Sequence, residues 1–203
     1  MSQAAGLVVN DLAVERGGRT ILAGISFDVP QGTALAITGP NGAGKSTLLR
    51  GLAGLIPIAS GQVRLGLDTG SEAIEAHTHY LGHTDGLKRS LTALANLRFA
   101  AAWGGTSGLP PTEALSRMGI PHVADLPASF LSAGQRRRIA LARLLVAHRT
   151  LWLIDEPTTA LDHAGETIFG TVMQDHLARG GIILAATHAP MPIKARNLQI
   201  RAA

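Results

Sequence analysis

The stretch that most limits what this chain can fold into is Gly39-Pro40-Asn41-Gly42-Ala43-Gly44-Lys45-Ser46-Thr47. It fits the pattern G-x-x-x-x-G-K-[ST]. Thr33 to Thr38 reads as a short buried strand leading into it. Ser46 to Leu55 reads as a helix leaving it, with Leu48, Leu49, Leu52 and Leu55 on one face. Glycines here let the backbone turn its N–H groups inward, where side chains would block a ligand. The helix start adds partial positive charge at the same point. Strand, loop and helix together form a phosphate cradle, the P-loop, in which Lys45 reaches the β- and γ-phosphates of a nucleotide and the Ser46 hydroxyl coordinates Mg²⁺.

The rest of the chain is consistent with an α/β protein built around that loop. At 203 residues it suits one domain with room for an added lobe, and 46% hydrophobic residues exclude a disordered chain. Net charge is +4, and the densest basic cluster is Arg136-Arg137-Arg138. That is too short to imply nucleic-acid binding and reads as a solvated helix face. Cysteine is absent, which excludes disulfides, thiolate metal sites and haem attachment through C-x-x-C-H. The eight histidines show no metal-ligand spacing, so direct haem binding is not expected. No apolar run approaches a membrane span, and the N-terminus lacks the blocks of a signal peptide. The chain reads as soluble, so work at a membrane would need a partner.

In order, Gly6 to Val14 and Thr20 to Val29 read as strands around an Arg16-Gly17-Gly18-Arg19 turn. Gln62 to Leu65 and Thr78 to Gly82 are further strands, with a surface loop or short helix over 66–78. From about 90 to 129 the composition shifts to a small helical lobe. It holds a helix over Leu91–Trp103, a loop over Gly104–Pro111 and a helix over Thr112–Met118 with Thr112 as a possible cap. Residues 1–89 and 130–203 form the α/β core. Ser132 begins a long helix to about His148, with Ser132 and Gln135 at capping-box spacing. Leu151 to Ile154 is a fully apolar strand, as at the centre of a parallel sheet. A helix over Gly165–Arg179, closed by Gly180-Gly181, leads to a strand over Ile182–Ala186.

Two further stretches carry chemistry. Asp155-Glu156 follows the apolar strand: Asp155 can hold Mg²⁺ and Glu156 can activate water. Alone, the pair could equally be a solvated acidic turn. Leu131-Ser132-Ala133-Gly134-Gln135 is a second helix start offering a hydroxyl and N–H groups to an anion. An ordinary capped helix explains Ser132 and Gln135 but not Gly134, which is costly in a first turn.

On these residues the chain resembles the ATP-binding-cassette ATPases, whose signature is Leu-Ser-x-Gly-Gln. Thr159-Ala160-Leu161-Asp162 matches the family's D-loop, and Thr187-His188 its switch histidine. The resemblance covers nearly the whole chain. It implies a P-loop NTPase fold with a mostly parallel core sheet, an N-terminal antiparallel β subdomain and an inserted helical lobe. It also implies Mg²⁺-dependent ATP hydrolysis in a head-to-tail homodimer. The catalytic residues would be Lys45, Glu156 and His188. ATP would be held by Gly39 to Thr47 in one chain and by Ser132, Gly134, Gln135 and Asp162 of the other, and Mg²⁺ by Ser46 and Asp155.

Three positions depart from the family pattern. Arg16 stands where an aromatic residue usually stacks on adenine. A guanidinium can also stack on a base, or Arg16 is a solvated turn residue. His83 replaces the Q-loop glutamine, and its imidazole could bridge water and Mg²⁺. Ala95 replaces a frequent glutamate. The stretch Tyr80 to Lys88 and the run Leu131 to Arg143 are similar to the ATP-binding subunit of the haem exporter of cytochrome c maturation. That resemblance implies a peripheral subunit on the cytoplasmic face of the bacterial inner membrane, docked on integral membrane subunits. Its ATP would drive haem export or release of a haem-loaded chaperone; the alternative is the ATPase of another transporter.

Overall fold

A computed structural model of the chain describes residues 6–66, 73–104 and 108–201. The loops read over 66–78 and 104–111 therefore fall partly outside the described residues.

Two sheets form. The first is antiparallel, in the order β2-β1-β4, from β1 (Gly6–Arg16), β2 (Arg19–Pro30) and β4 (Ser60–Gly66). Gly17 and Gly18, with φ of 59° and 73°, close the β1–β2 hairpin in two residues, a turn that needs positive φ at both positions. Arg16 is thus the last residue of β1, paired with Arg19, and not part of the turn itself.

The second sheet is parallel, in the order β5-β6-β7-β3-β8. Its strands are β5 (Thr78–Leu81), β6 (Leu151–Asp155), β7 (Ile182–Ala186), β3 (Ala34–Thr38) and β8 (Arg196–Gln199). Every residue of β6 and β7 is buried, because helices or strands cover both faces. Alternate side chains divide the core in two. Leu35, Ile37, Leu151, Leu153, Ile182 and Leu184 pack with the antiparallel sheet and α1 (Lys45–Leu52). Ala34, Trp152, Ile154 and Ile183 pack with α2 (Ala93–Gly104), α3 (Pro111–Arg117), α4 (Ala133–Val146) and α5 (His163–Ala178). Sequence periodicity did not reveal β8. It is an edge strand, largely exposed, and so lacks a buried alternation.

Several local expectations are corrected. Helix α1 stops at Leu52, and Leu55 is 58% exposed rather than on its buried face. Gly54 turns left-handed at φ 69°, and Leu55 N–H bonds back to Arg50 O at 2.9 Å, a glycine-terminated helix end. Leu48, Leu49 and Leu52 remain fully buried, each contributing roughly 1.5–3 kcal/mol. Helix α3 has no side-chain cap from Thr112; it starts one residue earlier, at Pro111, whose fixed φ suits a first helical position. Helix α5 starts at His163 because Asp162 caps it, accepting from Gly165 N at 2.8 Å. Helix α4 keeps its full capping box, with Gln135 N donating to Ser132 Oγ at 3.1 Å and Ser132 N to Gln135 Oε1 at 2.9 Å.

Candidate functional site

The carboxyl ends of β3, β5, β6 and β7 meet at one edge of the parallel sheet, where open α/β sheets bind ligands. A cavity of about 380 Å³ lies there, lined by Arg16, Asn41, Gly42, Lys45, Ser46, Thr47, His83, Asp155 and Glu156 among others. These residues come from four separate stretches of chain.

The loop from Gly39 to Gly44 brings β3 into α1. Gly44 stands at φ 94°, and a Cβ there would lie 2.8 Å from Leu22 Cδ2, so only glycine fits. At Gly39 a Cβ would lie 2.3 Å from the Ile200 carbonyl oxygen. Helix α1 has neither a side-chain cap nor an acidic residue in its first turn, which leaves its N–H groups and partial positive charge to a ligand. Lys45 is 8% exposed, and its ammonium donates to Gly39 O at 2.8 Å and Pro40 O at 3.1 Å, folding back over the loop. Pro40 and Ala43 shape the loop: Ala43 N donates to Pro40 O, and Ala43 is buried against Gly39.

Asp155 ends β6 and is 4% exposed. Glu156 follows in the left-handed region, φ 51°, unusual for a residue with a side chain. Its N–H donates to Ala186 O at 2.8 Å, and its Oε1 lies 2.9 Å from His188 Nδ1. His188 thus reaches the cavity through Glu156. Thr187, fully buried, sets the turn before His188: its N–H donates to Ile37 O and its hydroxyl to Ala189 O.

Ser132, Gly134, Gln135 and Asp162 do not line this cavity. Gln135 and Ser132 bond each other, and Asp162 caps α5 and pairs with Arg138. The bonds from Gly165 N–H and then Arg138 hold the Asp162 carboxyl below its usual range. Gly134 has a local reason within one chain: a Cβ there would lie 2.9 Å from the Ala160 carbonyl oxygen, so the Thr159–Asp162 loop needs glycine beneath it. Ala160 itself is left-handed, φ 65°.

The arginine triplet is not a solvated face. Arg137 is 2% exposed and donates to Gly82 O, Asp155 O and Glu156 O. Arg136 donates to Leu131 O and faces Asp85, and Arg138 pairs with Asp162. Each arginine fastens a different loop to α4. The signal lay in the periodicity: Arg137 shares the face of Ala140, Leu141 and Leu144, all buried. Ile21, from β2, lines the cavity and was not singled out from the sequence.

Comparison with known proteins gives the chain its class. A family model described as ABC transporter matches residues 22–159. A solved structure described as the ATP-binding subunit of an ABC transporter superposes with a TM-score of 0.78 at 27% identity, covering 90% of this chain and 80% of that one. The cytochrome c biogenesis ATP-binding export protein CcmA of Nitrobacter winogradskyi is 51% identical over 193 residues, 94% of this chain and 96% of the relative. The protein of the same name from Bradyrhizobium diazoefficiens is 50% identical, over 91% of this chain and 92% of the relative. The chain belongs to the ABC transporter ATPase family, among the cytochrome c biogenesis ATP-binding export proteins. It is an ATP-binding, ATP-hydrolysing transporter subunit.

Proposed function

We propose that this chain hydrolyses ATP to drive a membrane complex that exports haem, or releases a haem-loaded chaperone, in c-type cytochrome biogenesis. The meeting of Lys45, Ser46, Asp155 and Glu156 in one cavity supports the hydrolytic part, and the names of the half-identical relatives support the process.

Gly39 to Thr47 wraps the phosphates with backbone N–H groups, and Lys45 leaves the Gly39 and Pro40 carbonyls to bind the β- and γ-phosphates. Arg16, exposed at the cavity rim, stacks on the adenine. The donor set fits Mg²⁺: the Ser46 hydroxyl and the Asp155 carboxylate are hard oxygen ligands at the same cavity. Ser46 and Asp155 would hold the ion, which would supply positive charge against the phosphates of the nucleotide. His83 lines the same cavity and would meet a bound ion there through water. Glu156 takes the proton of the attacking water, and His188, held by the Glu156 carboxylate, hydrogen-bonds the γ-phosphate.

Ser132, Gly134, Gln135 and Asp162 act on the nucleotide of a second copy in a head-to-tail homodimer. Their place outside the chain's own cavity supports this.

Among the described residues no helix is long and apolar enough to cross a membrane. Integral membrane subunits are the partners of this one. The subunit sits peripherally on the cytoplasmic face of the inner membrane. Its docking surface includes the loop that carries His83 and the start of the helical lobe of residues 90–129, from about 80 to 99, with α2 continuing beyond it. There Phe99 and Trp103 stack at 6.4 Å with 67% and 84% of their surfaces exposed, beside a cavity of about 550 Å³. Asn96 staples the loop to α2, accepting from Lys88 N and donating to the carbonyls of Lys88, Leu91 and Thr92. Partner contacts at α2 therefore move with the loop that carries His83.

The test is cytochrome c assembly in bacteria lacking their own such subunit, with its membrane partners present. Wild-type chain restores assembly and His83→Gln keeps much of it, while His83→Ala loses coupling more than ATP affinity. A wild-type chain that hydrolyses ATP in the complex yet restores no assembly would sink the cytochrome c reading and leave another transported substrate.

A further inference from the structure

Arg137 is an unusual buried charge. Among the described residues no carboxylate bonds it; its partners are three backbone carbonyls, Gly82 O at 3.1 Å, Asp155 O at 2.9 Å and Glu156 O at 2.6 Å. Burial is the leading influence on it and weakens its hold on its proton, opposed by the more distant charges of Asp85, Asp155 and Glu156. Its Nε has no partner. A cation buried this way is costly unless its environment uses it.

The three carbonyls belong to the residues that set the cavity. Gly82 immediately precedes His83. Asp155 and Glu156 are the acidic pair. Glu156 is the one whose backbone needs holding, since φ 51° is unfavourable for a side-chain-bearing residue and persists only where neighbours over-determine it. Ala186 O holds the amide on the N-terminal side of Glu156 and Arg137 holds the carbonyl on its other side. Arg137 also stands on α4 one turn beyond the capping box of Ser132 and Gln135.

We propose that Arg137 is a positioning residue for hydrolysis, clamping the strained Glu156 peptide and the Gly82 turn to the first turns of α4. The clamp aims the Glu156 carboxylate, and because it sits on α4, any movement of the Ser132–Gln135 start is felt at the base. The planar guanidinium is what allows this, because Nη1 and Nη2 reach carbonyls on two different loops at once, and a lysine nitrogen cannot span both. The proposal rests on Glu156 acting as the general base.

The experiment measures ATP hydrolysis, ATP affinity and thermal melting for the full chain with its membrane subunits, in wild type, Arg137→Met, Arg137→Lys and Glu156→Gln, and in Arg137→Met/Glu156→Gln. Arg137→Met is expected to lower kcat by about 10–100-fold through misaimed Glu156, with ATP affinity near wild type and a lower melting temperature, because the Gly82, Asp155 and Glu156 carbonyls lose their donor. Arg137→Lys falls in between. In the Glu156→Gln background, Arg137→Met is expected to change the residual rate by less than about twofold, because the group it aims is already gone. Wild-type kcat in Arg137→Met overturns the proposal, as does an equal loss in both backgrounds, or a loss of ATP affinity that matches the loss of rate. If Arg137→Met does not fold, Arg137→Lys decides by the same comparison. Glu156→Gln turning over at the wild-type rate would remove the base assignment and the role of Arg137 with it, whereas an inert Glu156→Gln beside a fully active Arg137→Met removes Arg137 alone.

Discussion

The two ends of the parallel sheet are made from the same strands and do opposite things. At the carboxyl end the chain tolerates strain and charge. Glycines adopt φ values other residues avoid, Glu156 is left-handed, Lys45 is nearly buried and Arg137 completely so. At the amino end the polar groups are arranged for rest. His176 stacks on Trp152 at 3.8 Å with the rings 9° apart, and its Nε2–H donates to Thr150 O. His79 Nε2–H donates to Ala147 O at 2.7 Å. Burial, the leading cause for both, pushes their pKa values down from 6.5 to about 4. A strand's carboxyl end opens into loops free to take unusual backbone shapes, whereas its amino end is packed against the helix that precedes it. Changes at the first end should alter rate, and changes at the second should alter stability.

The largest test of that division is Lys45→Ala. Turnover should fall by at least about 10³-fold with little change in melting temperature. The same variant sharpens the dimer reading. Mixed with Ser132→Arg chains, it should regain turnover in heterodimers that contain one intact pair of P-loop and Ser132–Gln135 start, while neither variant hydrolyses alone. Heterodimers that form without regaining activity would place the complete site within one chain. Next comes Glu156→Gln, expected to slow the chemical step by about 10²–10⁴-fold while ATP still binds, read as single-turnover rate against nucleotide affinity. A wild-type rate would mean another group takes the proton.

The smallest effect belongs to the other end. The folded chain keeps His176 neutral down to about pH 4, while the unfolded chain protonates it near 6.5. Between those values the unfolded state binds more protons, so stability is fully present above about 6.5 and is lost as pH falls toward 4. The loss from His176 is at most about 3 kcal/mol. His176→Gln should flatten the melting temperature against pH in that window, with the remaining slope carried partly by His79. An unchanged slope would show that His176 is solvated in the folded chain.

The features legible in the amino acids alone are local or periodic. The glycine loop, the capping box at Ser132, the apolar runs Leu151 to Ile154 and Ile182 to Ala186, and Asp155 at a strand end all depend on neighbours a few residues away. Backbone chemistry and burial leave such stretches one conformation. Those signals also carried the α/β class and the family. Leu55 looked like one more apolar helix position, although Gly54 beside it is itself a local stop signal. Other features depended on distant chain. The β8 strand shows no alternation, because it gains its place by pairing with β3 at an edge. Arg136, Arg137 and Arg138 looked like a solvated run, yet they reach Leu131, Gly82 and Asp162, which lie 5, 55 and 24 residues away along the chain. Gly134 looked like a mark of ligand binding, and the fold adds a second demand, the Ala160 carbonyl pressed against it. A side chain's partner across the fold leaves no trace in its neighbours' identities. Only packing the sheet, α4 and the loops together decided that Arg137 lies beneath Glu156.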